Sequence, residues 1–167
     1  KDSWDTLNSF GNLETVPPYA FEGKSYPLGR VLRGNVPSFS PDPSFLLMQE
    51  SQAVQPPIYL DTSWLLVGHV DETISFVRAK TERGWALVIN DAALAKKMLE
   101  DLVAAGHGDA QMFVGKTWSS GKSAARTVSE VLADPDVMGP SAEAAAEVDG
   151  QLAQLKKATG ATAAAIA

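Results

Sequence analysis

The 167-residue chain contains no cysteine, which excludes disulfide bonds and thiolate metal sites. It also lacks any run approaching the roughly 20 apolar residues that a membrane-spanning helix needs. Its first residues, Lys1 to Trp4, do not form the apolar core of a signal peptide. Because a chain without cysteine is compatible with any redox environment, the cellular compartment stays open.

Basic residues are also few: 14 Lys and Arg stand against 20 Asp and Glu, for a net charge of −6 at pH 7. Since phosphate groups are bound by clustered Lys and Arg, this balance argues against a nucleic-acid or anionic-membrane surface. An acidic surface favours cationic partners, such as an arginine side chain or a divalent ion. With 45% hydrophobic residues, the chain is expected to be soluble and to bury the core of a globular protein.

Local patterns divide the chain into a loop- and strand-rich part (1–57), an α/β unit (58–118) and a helical part (119–167). Alternation and turn residues predict strands at 26–34, 58–60, 64–68, 73–78, 85–90 and 111–114. Helices are predicted at 45–53 with Ser44 as N-cap, at 91–105 before Gly106, and at 123–133 and 141–155 on either side of a breaker at 134–140. The sequence therefore predicts an α/β protein.

The best catalytic candidate is the run Gly68-His69-Val70-Asp71-Glu72, directly after the apolar residues 64–67. If residues 64–68 form a strand, His69 and Asp71 share one side of the chain and Glu72 points to the other. An imidazole beside a carboxylate suits a base that works next to a cation-binding group. The alternative is a structural His–Asp pair in which Asp71 caps a turn.

Three further blocks accompany this run. They are residues 9–18 (SFGNLETVPP), 26–30 (YPLGR) and 106–110 (GHGDA), and Ser75-Phe76-Val77 extends the run itself. Together, and in this order, the blocks resemble the protein-arginine deiminases, calcium-dependent enzymes that convert peptidyl arginine to citrulline. The resemblance implies part of a five-fold pseudosymmetric α/β propeller, the pentein-like fold, whose blades run strand-strand-helix-strand. Residues 73–114 are predicted to follow that order.

The resemblance also implies roles for individual residues. His69 becomes the general acid/base and Asp71 a guanidinium-binding carboxylate, while the backbone of Val67 and Gly68 lines the substrate slot. The substrate is then an arginine-containing protein or peptide.

A calcium site is implied upstream of these residues. Its ligands in this chain are the carbonyl oxygens of Phe10 and Leu13 and the carboxylate of Glu14. Because Ca²⁺ takes six to eight oxygen ligands, three make the site incomplete.

Two functional groups of the family find no match in this chain. One is its nucleophilic cysteine, which lies far downstream of the His/Asp run, and the other is a first aspartate upstream of the Phe-Gly-Asn-Leu-Glu segment. The 167 residues are therefore expected to be a central fragment of a catalytic domain, a guanidinium C–N hydrolase that is inactive in isolation. A complementary chain that carries the missing Cys and Asp is the expected partner. The alternatives are a non-catalytic arginine-binding module and an inert, stable proteolytic fragment.

Overall fold

The computed structural model describes residues 6–37, 41–162 and 166, which combine helices and short strands. The strands are β1 (Leu13–Val16), β2 (Tyr19–Phe21), β3 (Lys24–Tyr26), β4 (Arg30–Asn35), β5 (Ile58–Asp61), β6 (Ile74–Arg78), β7 (Trp85–Ile89), β8 (Gln111–Met112) and β9 (Arg126–Thr127). The helices are α1 (Pro43–Ser51), α2 (Ala92–Ala104), α3 (Val128–Ala133) and α4 (Pro135–Thr159), with 3-10 turns at Thr6–Asn8, Phe10–Asn12 and Val70–Glu72. The predicted mixed α/β class is confirmed.

Backbone contacts divide the chain into two compact units. The first comprises Lys1–Asn90 together with Val148–Ala167, and the second comprises Asp91–Glu147. These boundaries differ from those of the three stretches predicted from local patterns. They differ because the end of the chain packs against residues far from it in sequence, and no local pattern reports such a contact.

The first unit is built on a three-stranded sheet in the order β1-β4-β5. Strand β1 runs antiparallel to β4, with Leu13 opposite Arg33, and β5 runs parallel to β4. Two hairpins, β2-β3 and β6-β7, accompany the sheet. The core is apolar and draws on all of these elements and on the end of α4: Val16, Tyr19, Leu32, Ile58, Leu60, Val70, Ile74, Trp85, Leu87 and Leu155.

Arg33 is a fully buried cation in this unit. Its guanidinium donates to the carbonyl of Leu7 (2.6 Å) and to Oε1 of Gln49 (2.9 Å), and it lies over the ring of Phe45 with 4.6 Å between the guanidinium carbon and the ring centroid. A buried charge is tolerated only where such partners replace water. Arg33 therefore holds the first 3-10 turn and α1 against β4, and it has a structural role.

Several predicted boundaries in the first unit are wrong. The strand predicted at 26–34 is interrupted after Tyr26, because Gly29 adopts a positive φ of 71° and its N–H bonds back to the Tyr26 carbonyl at 2.9 Å. Helix α1 begins at Pro43 and not at Phe45, since Asp42 is its N-cap and accepts from the Ser44 N–H at 2.8 Å. Pro is favoured at the first helical position, where its missing N–H costs nothing.

The second unit contains α2, α3, the β8-β9 pair and the first turns of α4. Asp91 caps α2 by accepting from the Leu94 N–H at 2.7 Å, and Gly106, with a φ of 86°, follows the helix as predicted. Helix α3 starts only at Val128, because Thr127 and Glu130 form a capping box. Helix α4 begins at Pro135, so the predicted break between two helices is present but is confined to Asp134, and its predicted bounds of 134–140 are wrong. In the described ranges, no helix is both long and apolar enough to cross a bilayer.

Candidate active site

The segment before His69 does not have the predicted conformation. Residues 64–68 form turns and bends, Leu66 is wholly exposed, and Gly68 has a φ of 79°. The hydroxyl of Thr62 donates to the Gly68 carbonyl at 2.8 Å and closes this loop on itself. A run of apolar residues forms a strand only where a neighbouring strand takes its backbone hydrogen bonds. Here the Leu65 N–H bonds to the Thr62 carbonyl at 3.1 Å, and the Val67 carbonyl accepts from the Thr6 hydroxyl at 3.3 Å. The predicted strand at 64–68 is wrong.

A 3-10 turn, and not a strand end, brings the imidazole and the carboxylate together. His69 has an extended backbone and precedes the turn Val70–Glu72. A Cβ built on Gly11 would lie 2.5 Å from His69 Nδ1 and 3.2 Å from Asp71 Oδ2. Both side chains therefore border the space above Gly11, which is too small for even one added carbon atom and which only a residue without a side chain leaves to them. The structure brings His69 and Asp71 together, but for a different reason from the one expected.

The hydrogen bonds of His69 assign its ring tautomer. Its Nε2 lies 2.8 Å from the carbonyl oxygen of Thr6 and 3.0 Å from Oγ of Ser9. A carbonyl oxygen only accepts, so Nε2 carries a hydrogen and donates it to Thr6. In the neutral ring Nδ1 then holds the lone pair. The nitrogen able to take up a proton is thus the one that faces Gly11 and Asp71.

Glu72 does not point away from His69 as an extended chain would require. Its Oε1 accepts from the backbone N–H of His69 at 3.1 Å, because the turn folds residue 72 back over residue 69. Asp71 is exposed and projects from the same turn. Glu72 thus holds the turn closed, whereas Asp71 is accessible to a ligand.

Val67 and Gly68 line a shallow cavity of about 270 Å³ together with Thr6, Leu65 and Leu66. The cavity borders the candidate site, since the Thr6 carbonyl that lines it also binds the imidazole. A larger cavity of about 630 Å³ lies beside Lys80, Arg83 and Gly160 and includes none of the candidate site residues. The convergence of functional groups, and not cavity size, therefore locates the candidate site.

The candidate metal ligands adjoin this site. Phe10 begins the turn Phe10–Asn12 and Leu13 follows it, and the Leu13 N–H bonds to the Phe10 carbonyl. The pKa of Glu14 is raised, mainly by burial and further by the negative charge of Asp71, while an N–H bond from Thr15 opposes the rise. Glu14 and Asp71 are thus electrostatic neighbours. Within the described part of the chain, no three His, Cys, Asp or Glu side chains are grouped as a metal site.

Several residues that build the site were not predicted from sequence. Gly11 and the buried Asn12 belong to the Phe-Gly-Asn-Leu-Glu block. The glycine in that block could have indicated a close approach of two parts of the backbone. Thr6 and Ser9 carry no such indication, because each meets His69 across 60 residues or more of sequence. His107, in the block 106–110, is exposed in the turn that follows α2.

Comparison with known proteins gives a consistent result. A sequence model of one family, described as protein-arginine deiminase, matches residues 1–167. The chain is 36% identical to mouse protein-arginine deiminase type-4 over 160 residues, covering 92% of this chain and 23% of the mouse protein. It is 42% identical to human type-3 over 113 residues, covering 65% of this chain and 17% of that protein, and 32% identical to human type-1 over 161 residues, covering 93% and 23%. The chain thus spans about a quarter of the length of mouse type-4 and human type-1.

Proposed function

Because the chain belongs to the protein-arginine deiminase family, we propose that it carries the His/Asp half of a site that converts peptidyl arginine to citrulline. The observation that supports this proposal is the convergence of His69 Nδ1 and Asp71 Oδ2 on the space above Gly11. A guanidinium group is a planar cation that binds a carboxylate through charged hydrogen bonds. A neighbouring nitrogen with a free lone pair can then accept a proton during the reaction.

The proposed roles follow from these contacts. Asp71, exposed on its turn, holds the guanidinium group of the substrate arginine, and His69 acts as general acid/base. The backbone of Val67 and Gly68 lines the slot through which the arginine side chain enters, and the cavity at these residues supports that placement. The substrate is an arginine-containing protein or peptide.

Deimination also needs a nucleophile that attacks the guanidinium carbon. The family uses a cysteine, and this chain contains none. We therefore propose that the chain turns over substrate only with a complementary chain that provides the cysteine and a further aspartate. The chain has no cysteine but has an accessible Asp71, and this combination equally favours a second function, that of an arginine-binding module without catalysis. A chain that neither binds arginine nor is complemented is an inert, stable fragment.

We further propose that Phe10, Leu13 and Glu14 bind Ca²⁺, through two carbonyl oxygens and one carboxylate. Oxygen ligands suit this hard cation in kind, although three are fewer than the six to eight it takes. The unfavourable proximity of the Glu14 and Asp71 charges supports cation binding, since a bound cation would neutralise part of that repulsion. The site is therefore proposed to be weak until further ligands complete it.

The proposal also extends to the fold. In the family's five-fold pseudosymmetric α/β propeller, a blade runs strand-strand-helix-strand, and β6, β7, α2 and β8 follow one another in this order along the chain. Strand β6 pairs with β7, whereas β8 pairs with β9. We therefore propose that this chain forms part of such a propeller, in which further strands would join these short pairs.

Titration of an arginine-containing peptide tests the binding role. The wild-type chain is expected to bind, and Asp71→Asn to weaken binding by about tenfold, because one charged hydrogen-bond acceptor is lost. Asp109→Asn, which removes an exposed carboxylate from the second unit, is the matched control and should bind as the wild type does. A flat wild-type titration would exclude both the catalytic and the binding-module functions.

Complementation tests the catalytic role. The chain is mixed with a family segment that carries the cysteine and the upstream aspartate, and citrulline is measured in the presence of Ca²⁺. His69→Ala should abolish citrulline formation while assembly, followed by native mass spectrometry, is unchanged. Activity retained by the assembled His69→Ala protein would refute the role of His69.

A further inference from the structure

The side chain of Asn12 is completely buried, and its amide makes four hydrogen bonds. Its Nδ2 donates to the carbonyls of Leu7 (3.0 Å) and Gly34 (2.9 Å). Its Oδ1 accepts from the backbone N–H groups of Gly34 (2.8 Å) and Val70 (3.3 Å). Two donors and two lone pairs are all that an amide side chain offers, so every position is used. Asn12 thereby connects the first 3-10 turn, β4 and the turn that carries the candidate site.

Gly34 determines where the Asn12 amide lies. Leu13, the first residue of β1, pairs with Arg33 of β4. Extending the register by one residue toward the N-terminus would pair Asn12 with Gly34. There the side-chain amide, and not the backbone of Asn12, bonds to both the N–H and the carbonyl of Gly34. A Cβ on Gly34 would lie 2.3 Å from Asn12 Oδ1 and 2.6 Å from Thr62 Oγ1, so only glycine leaves room. The amide is therefore held against the rigid sheet.

The fourth hydrogen bond reaches the candidate site. Val70 stands between His69 and Asp71, its side chain is fully buried, and its N–H bonds to Asn12 Oδ1. Next to the same face of Gly34, the Thr62 hydroxyl holds the Gly68 carbonyl. The turn that presents the imidazole and the carboxylate is thus attached to the sheet through these two side chains, and Asn12 binds it between the two functional residues.

We infer that Asn12 is a positioning residue, which sets the turn so that His69 Nδ1 and Asp71 both face the space above Gly11. The inference rests on the proposed function, in which these two groups act on arginine. Asn12 has no access to a substrate because it is buried. Its effect on the site is exerted through Val70, and removal of the amide is expected to release the turn from the sheet.

The tautomer of His69 reports on this position, since Nε2 reaches the Thr6 carbonyl only when the turn is in place. The chain has two histidines, and His107 is exposed and serves as internal reference. We would record ¹⁵N spectra of the imidazole rings at about pH 8.5, well above the usual imidazole pKa of about 6.5. The wild-type His69 should show one tautomer, with the hydrogen on Nε2.

Asn12→Ser is expected to shift the His69 nitrogens toward the tautomer mixture of a free imidazole and to leave His107 unchanged. Tyr19→Phe is the stability control, because it removes a buried hydroxyl that donates to the distant Ala158 carbonyl. If Asn12→Ser lowers Tm as Tyr19→Phe does but leaves the His69 signals unchanged, Asn12 is structural only and the inference is wrong.

Hydrogen exchange of the Val70 amide provides a second measurement, and its first part uses only the wild-type chain. In the wild type this N–H should exchange slowly, and in a folded Asn12→Ser it should exchange about tenfold faster, as expected for the loss of one hydrogen bond. Unprotected exchange in the wild type would overturn the inference. Neither measurement uses arginine, so a failed peptide titration refutes the proposed function separately.

Discussion

Replacing Gly11 by alanine places one methyl group in the space that His69 and Asp71 share. The new Cβ would lie 2.5 Å from His69 Nδ1, and ordinary contact requires an outward movement of about 1 Å. Overpacking of this kind costs about 1–3 kcal/mol, and the loss of glycine flexibility in the unfolded chain returns about 0.4–1 kcal/mol. The free energy of unfolding should therefore fall by about 1–2 kcal/mol, which lowers Tm by about 2–8 °C for a chain of this size.

Thermal unfolding followed by circular dichroism measures this change. Gly139→Ala is the matched control, because Gly139 lies in α4 and its Cβ would meet nothing within 4 Å. Alanine is the better helix former by about 0.5–1 kcal/mol, so the control should raise Tm. In the complemented enzyme, a 1 Å displacement of His69 should reduce citrulline formation by about 100-fold. A Gly11→Ala chain with wild-type Tm and wild-type activity after complementation would refute the geometry of the site.

Other predictions address the loop before His69 and the pH dependence of stability. Leu60→Ala empties a buried position in β5 and should cost about 2–5 kcal/mol, whereas Leu66→Ala alters a wholly exposed side chain and should change stability by less than about 0.5 kcal/mol. If chemical denaturation showed the same loss of unfolding free energy for Leu60→Ala and Leu66→Ala, residues 64–68 would be a buried strand. Burial raises the pKa of Tyr59 to about 12, and the hydrogen bond to Glu50 adds to the rise. Because the usual tyrosine pKa is about 10, the protonated side chain stabilises the fold fully below about pH 10. This contribution is lost as the pH rises through about 12. Tyr59→Phe should remove this part of the alkaline loss of stability, and an alkaline loss of the same size in the variant would contradict the assignment.

Elements whose start, length and end are determined by residues close in sequence were predicted well. Helix α2 has an N-cap at Asp91, apolar spacing along its length and Gly106 after its end, and each of these acts within a few residues. The strands of the hairpin β6-β7, Ile74–Arg78 and Trp85–Ile89, likewise lie within one residue of the predicted bounds 73–78 and 85–90. In these segments local propensity and tertiary contacts favour the same structure.

The errors arise where hydrogen bonds or turn geometry that the sequence pattern does not show override the propensity of a segment. Residues 64–68 have the composition of a strand, but the Thr62 hydroxyl and the positive φ of Gly68 turn the chain instead. Pro135 and Pro140 were expected to interrupt a helix, whereas Pro135 begins one, as proline does in a first turn. The site itself could be predicted as a His–Asp pair from one short run. Its geometry could not, because Gly11 and Asn12 approach that run across more than 50 residues of sequence.

The long sequence separation of the His69 contacts also has a consequence for the timing of folding. Its two ring partners, Thr6 and Ser9, precede it by 63 and 60 residues. At a synthesis rate of about 5–20 residues per second, residues 6–9 exist for about 3–12 s before the imidazole that they bind has been made. Contacts between residues far apart in sequence also form more slowly during folding than local contacts do. The candidate site is therefore expected to form late, after the local elements, so that its tautomer-specific signal would mark the completion of folding in this unit.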